Sequence, residues 1–185
     1  VNAVLDELTD QELLGLLDGD LGVLAGAAAM LNGYNTVPFE AGRCRRLGIP
    51  GIRFTDGPRG VVTGRSTCFP VAIARAATWD TELEHRIGGA IGAEARANGA
   101  NLFAGICLNV APFPGWGRSQ ESYGEEPLLV GAMGAAVLQG AQPWVMTCVK
   151  HFALNSMEEA RLTVDVPGRR RDIARVLLAP LPSRH

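Results

Sequence analysis

Lysine is almost missing from this sequence: Lys150 is the only one among 17 basic residues, the rest being arginine. Such a bias reflects nucleotide composition and says little about function, yet it makes the surviving lysine a lead. An excess of one charge is missing too. With 19 acidic residues and a formal net charge of −2, nothing is left over to neutralise phosphates, so no nucleic acid is expected as a partner. No stretch approaches the roughly 18 apolar residues of a membrane span. The softest, Leu128 to Ala141, is broken by Gly131, Gly134, Gln139 and Gly140, so no membrane is expected either. Asp6, Glu7, Asp10 and Glu12 stand where a signal peptide would place basic residues and an apolar run, and a cytoplasmic protein is the expectation.

Paired cysteines are also lacking. Cys44, Cys68, Cys107 and Cys148 never form a C-x-x-C spacing, which argues against zinc and for small buried hydrophobes in a reducing compartment. No metal and no cofactor is expected. Aromatics are scarce at 6%, but 185 residues with 47% hydrophobic side chains suffice for a core without disulfides.

What is present alternates helix and strand. Leu5, Leu8, Leu13, Leu16 and Leu17 fall near a 3.6 period, and Thr9 with Glu12 makes a capping-box pattern that restarts the helix at Thr9. Residues 19–43 give no clear pattern. Ile49 to Phe54 reads as a strand stopped by the turn Thr55-Asp-Gly-Pro58. Asp80 caps a helix to about Asn98, with Leu83, Ile87, Ile91 and Ala95 on one face. Leu102 to Val110 reads as a strand, 112–123 as a loop, Glu126 to Gly140 as a helix, and Trp144 to Val149 as a strand ending at Lys150-His151. Strands buried on both faces and separated by helices predict an α/β protein built of parallel βα units. In such folds chemistry gathers at the C-terminal strand ends. Asp56, Arg118 with Glu121, and Lys150 with His151 would then meet at one rim.

Four segments carry a resemblance: Gly51-Ile-Arg-Phe-Thr-Asp-Gly-Pro-Arg-Gly60, Ala77-Thr-Trp-Asp80, Gly115-Trp-Gly-Arg-Ser-Gln-Glu-Ser-Tyr-Gly-Glu-Glu-Pro127 and Val149-Lys-His-Phe-Ala-Leu-Asn155. In this order and spacing the chain resembles glycoside hydrolase family 3, from about residue 4 to 166. The resemblance implies an incomplete TIM-type (β/α) barrel, the N-terminal part only. It implies an exo-acting retaining β-glucosidase acting on a small carbohydrate, a β-glucoside or similar. It also makes Asp56, Arg118, Lys150, His151 and Arg161 substrate-binding residues of the nonreducing-end subsite. Vicinal sugar hydroxyls accept from cations and donate to carboxylates, and charge-assisted hydrogen bonds are the stronger kind. Trp116 would offer an apolar face to the sugar or pack beneath its loop.

Each residue has a plainer reading beside this one. Asp56 would be a turn former, Arg118 a loop anchor paired with Glu121 or Glu125, and His151 a satisfied core histidine. Lys150 would be a surface charge, and Arg161 a local pair with Glu158 or Glu159. Glu121 reads as a support for its neighbours rather than as a catalytic group.

Departures from the family pattern shape the functional expectation. Ala111-Pro-Phe-Pro114 replaces an Arg-His-Pro type sequence, and Glu126 replaces a commoner aspartate. A retaining glycosidase needs two carboxyl groups about 5 Å apart, and the family's Ser-Asp-Trp type nucleophile motif is absent from these 185 residues. The expectation is therefore a fragment with no catalytic residue in this chain, residues 1–166 being a partial barrel domain. Residues 167–185 form an atypical tail. Permitted codons for Leu178 to His185, read one nucleotide later, give the family-like text Leu-Pro-His-Phe, which points to a frame lost near Pro167. A whole barrel takes about 250 residues, so an open sheet edge and an uncovered apolar face are expected. Two other classes of function remain: a non-catalytic carbohydrate-binding remnant, and a Schiff-base lyase using Lys150 as nucleophile.

Overall fold

The computed structural model describes residues 2–17, 24, 27–28, 31, 35–111, 113–152 and 154–165. The expected tail at 167–185 lies outside them. The leucine-rich start is split, as the capping pattern implied, into α1 (Asn2–Glu7) and α2 (Asp10–Gly15). The Thr9 N–H donates to Glu12 Oε2 at 2.9 Å, and the Glu12 N–H donates back to Thr9 Oγ1 at 3.3 Å. The same carboxylate receives a fork from Arg46 at 2.9 and 2.7 Å, which holds it well below the usual carboxylate range.

Four strands form one sheet in the order β1 (Phe39–Cys44), β2 (Ile49–Thr55), β3 (Leu102–Cys107), β4 (Met146–Lys150). β2, β3 and β4 run parallel; β1 pairs with β2 antiparallel, Phe39 opposite Phe54 and Cys44 opposite Ile49. The three strands read from the sequence are thus parallel as expected, and the hairpin adds β1, which the sequence pattern had not marked. A chain that turns back at once after β1 has no room for the crossover helix a parallel partner needs. β4 corrects the expectation of strands buried on both faces. Among the described residues it pairs with β3 alone, and Met146 is 50% exposed.

The helices cover one side of β3. A short α3 (Ala72–Ala76), which no sequence pattern marked, precedes α4 (Thr81–Ala97), whose Leu83 N–H donates to the Asp80 carboxylate at 2.8 Å. α5 (Pro127–Ala141) is capped by Glu126, bonded to the Leu129 N–H at 2.7 Å. The core joins Ile91 and Ala95 of α4, Val130, Met133 and Val137 of α5, and Phe103 and Ile106 of β3. α4 and α5 meet backbone to backbone, because a Cβ on Gly140 would land on the His85 carbonyl and one on Gly88 on the Val137 carbonyl. Among the described residues no helix is long and apolar enough to cross a membrane. Of the cysteines, Cys44 and Cys107 are buried as expected, whereas Cys68 and Cys148 are exposed. Cys148 lies on β4 at the sheet edge, where nothing in the described chain covers it.

Candidate functional site

The rim begins where β2 stops. Thr55 is buried, and the next residue, Asp56, turns out of the strand with its carbonyl accepting from the Val62 N–H at 3.1 Å. Gly57 has φ of 129° and no space for a side chain, since a Cβ there would strike the Gly60 carbonyl. Its N–H instead donates to Asp56 Oδ1 at 2.8 Å, fixing the carboxylate. Lys150 Nζ, at the end of β4, reaches the same Oδ1 at 2.5 Å. Both bonds fall on Oδ1, and the Asp56 side chain is 48% exposed. An ammonium committed to a carboxylate is a poor nucleophile, which speaks against the Schiff-base reading.

Just past the end of β3 stands Asn109, a residue the sequence reading passed over. It is the one polar side chain in the apolar run Leu102 to Val110, and that was the available signal. It is buried, and its Nδ2 donates to the Asn155 carbonyl at 2.9 Å. That bond fixes the amide orientation, so Oδ1 accepts from the His151 N–H at 3.0 Å and from His151 Nδ1 at 2.8 Å. Nδ1 therefore carries the proton, and Nε2 presents its lone pair to Arg118 Nη1 at 3.1 Å. The Lys150–His151 peptide is cis.

Arg118 comes from the loop after β3, ahead of a 3-10 turn at Ser119–Glu121. It forks onto Glu121, Nε to Oε1 at 2.9 Å and Nη2 to Oε2 at 2.6 Å. Burial pushes the Glu121 carboxyl up, but the Arg118 fork outweighs it and holds the group below its ordinary value. The glutamate is thus an anchor and no reservoir of protons. Under it lies Cys107, its thiol 3.5 Å from Glu121 and pushed up to about 12, chiefly by burial. A thiol so shifted is inert at neutral pH.

Asp56, Arg118, Lys150 and His151 thus come together at the ends of consecutive parallel strands. Arg161 stands apart from them, in the segment after β4, bonded to Glu158 Oε2 at 3.0 Å. Trp116 is buried beneath its loop, its indole N–H 3.2 Å from Glu158 Oε1.

The site has a sign with respect to pH. Burial lowers His151 below its ordinary 6.5, helped by the Arg118 and Lys150 charges and opposed by Glu121 and Asp56. An unfolded chain would then take up the imidazole proton first, so stability is present above about pH 6.5 and is lost as the pH falls from there. Urea midpoints measured from pH 8 to pH 5 are expected to fall across that window, and His151→Gln to flatten the fall. Parallel curves for the two proteins would remove His151 as the cause.

Parallel strands whose C-terminal ends gather a carboxylate, two cations and an imidazole define an α/β-barrel segment with a polar rim. The match to the glycosyl hydrolase family 3 N-terminal domain spans residues 28–181, and the chain belongs to that family. The match runs on past residue 166, where the sequence pattern had ended. The β-glucosidase of Rhizobium radiobacter is 35% identical over 188 residues, 97% of this chain and 21% of that protein. The thermostable β-glucosidase B of Acetivibrio thermocellus is 33% identical over 193 residues, 97% and 23% respectively. Among solved structures, β-glucosidase 3B from Thermotoga neapolitana in complex with glucose superimposes with a TM-score of 0.74 at 32% identity, covering 85% of this chain and 23% of that one. The chain therefore spans about a fifth of the length of the curated relatives it matches, and it covers their barrel only in part.

Proposed function

We propose that the rim holds the nonreducing-end sugar of a β-glucoside, and that the chain is the sugar-holding part of a retaining, exo-acting β-glucosidase. One observation carries this reading: the Asp56–Lys150 pair and the Arg118–His151 pair converge at the strand ends although they arise from three separate segments. A carboxylate flanked by cations suits vicinal hydroxyls, which donate to the first and accept from the second. Asp56 Oδ2 would accept from one hydroxyl, and the remaining Lys150 N–H groups would donate to its neighbour. Arg161 belongs to the same subsite in this reading, reaching it from the segment after β4. Relatives named β-glucosidases, one of them solved with glucose, support the substrate class.

Isothermal titration with glucose tests the reading. The 185-residue chain is expected to bind, and Asp56→Ala to weaken binding at least about tenfold, the loss of one hydrogen bond to a charged group. Equal affinity in the two proteins would take Asp56 out of the site.

A further inference from the structure

We propose that Glu158 is a positioning residue of this rim, its carboxylate clamping the Trp116 loop to the segment that carries Arg161. The role in binding rests on the sugar reading above; the clamp itself rests on geometry. Each carboxylate oxygen serves one donor: Oε1 takes the Trp116 indole N–H at 3.2 Å and Oε2 takes Arg161 Nη1 at 3.0 Å. The indole is only 3% exposed, so its N–H needs a protein partner, and Glu158 is the one it has. Gly117 completes the fit, since a Cβ there would already sit 3.5 Å from Glu158 Cγ. The charge of Glu158 also acts on Arg118, adding to the Glu121 fork that keeps that guanidinium positive. Glu158 thereby connects residues 113–121, which bring Arg118 to the rim, with residues 154–165, which carry Arg161. Asn109, two residues past the end of β3, makes a further tie to the second stretch through its bond to the Asn155 carbonyl.

The chemistry separates the two halves of the clamp. A glutamine at 158 keeps one acceptor oxygen for the indole but turns an amide N–H₂ toward the guanidinium, so it preserves the Trp116 bond and gives up Arg161. Alanine gives up both. The indole N–H resonance of Trp116, assigned by its loss in Trp116→Phe, reports the first half directly. A merely structural change would not move it selectively.

In ¹H–¹⁵N spectra of the 185-residue chain, Glu158→Ala is expected to shift that resonance upfield, and Glu158→Gln to leave it near its original place. Glucose affinity is expected to fall about tenfold in Glu158→Ala and about threefold in Glu158→Gln. Should Glu158→Ala fail to fold, Trp116→Phe keeps the buried ring without the donor and is expected to lose about threefold. An unmoved indole resonance in Glu158→Ala would overturn the clamp. So would undiminished glucose affinity in every one of these variants. Failure of the unsubstituted chain to bind glucose would instead sink the sugar reading, and the indole shift would still decide the clamp.

Discussion

Glu84→Ala is expected to destabilise the chain by about 3–5 kcal/mol, the usual cost of leaving a buried charge without its partner. Glu84 lies on α4 with no exposed surface, and Arg75 at the end of α3 is 4% exposed. The guanidinium Nε meets both carboxylate oxygens at 3.2 and 2.9 Å. The Tyr123 hydroxyl donates to Glu84 Oε1 at 2.6 Å and accepts from Arg75 Nη2 at 3.3 Å. Arg75 Nη1 caps the carbonyls of Pro58 at 3.1 Å and Pro70 at 2.6 Å. Every polar atom of the triad is therefore bonded, and one deletion orphans two others. Burial, with Glu84 beside it, raises the Tyr123 phenol above its ordinary value, so the ring stays neutral. The paired replacement Arg75→Met with Glu84→Leu is expected to cost far less than the single one, because it removes the charge and its partner together. Urea unfolding of the three proteins checks both statements, and a loss below about 1 kcal/mol for Glu84→Ala would show the arginine to be solvated after all. The Pro58 carbonyl lies two residues beyond Asp56, so this triad also holds the turn on which the carboxylate is mounted.

None of that triad was legible in the sequence, and the reason is physical. Burial of a charge leaves no mark on hydropathy, and Arg75, Glu84 and Tyr123 belong to elements whose meeting depends on the whole fold. Local chemistry, by contrast, was readable where it acts within a few residues. Thr9 and Asp80 were read as side-chain acceptors at helix starts and both caps are present, whereas at Glu126 only the helix start was read and the cap is added by the structure. β1 was invisible because Phe-Glu-Ala-Gly-Arg-Cys has little β-propensity; its strand state comes from pairing with β2, supported by the tilted Phe39–Phe54 ring contact at 5.3 Å. The rim residues were read from a family pattern and not from periodicity. Arg118 and Arg161 could each have been local ion pairs, and both do carry such a pair, with Glu121 and Glu158. What distinguishes Arg118 is the third contact, to His151, which no spacing rule along the chain encodes.

The 185-residue chain alone is expected to give no turnover of an aryl β-glucoside above buffer. Retaining hydrolysis needs a carboxylate poised as nucleophile and a second carboxyl that holds a proton near neutrality, about 5 Å apart across the sugar. The carboxylates at this rim are already committed. Asp56 is tied to Lys150 and to the Gly57 N–H, an arrangement suited to hydroxyls and not to attack. Glu121 is gripped by both edges of the Arg118 fork and held below its ordinary value, so it has no proton to give a leaving group. Glu158 faces Trp116 and Arg161. A sugar seated here is expected to meet hydrogen-bonding partners without the pair of carboxyls that bond cleavage requires. The removal of such a pair costs many orders of magnitude in rate, whereas binding survives, so the chain should titrate with glucose yet leave the glucoside intact. The assay is run on purified protein whose cooperative unfolding has been shown, at several enzyme concentrations. Turnover that scales with concentration and vanishes in Glu121→Gln would place the catalytic machinery on this rim and overturn the assignment of Glu121 as an anchor.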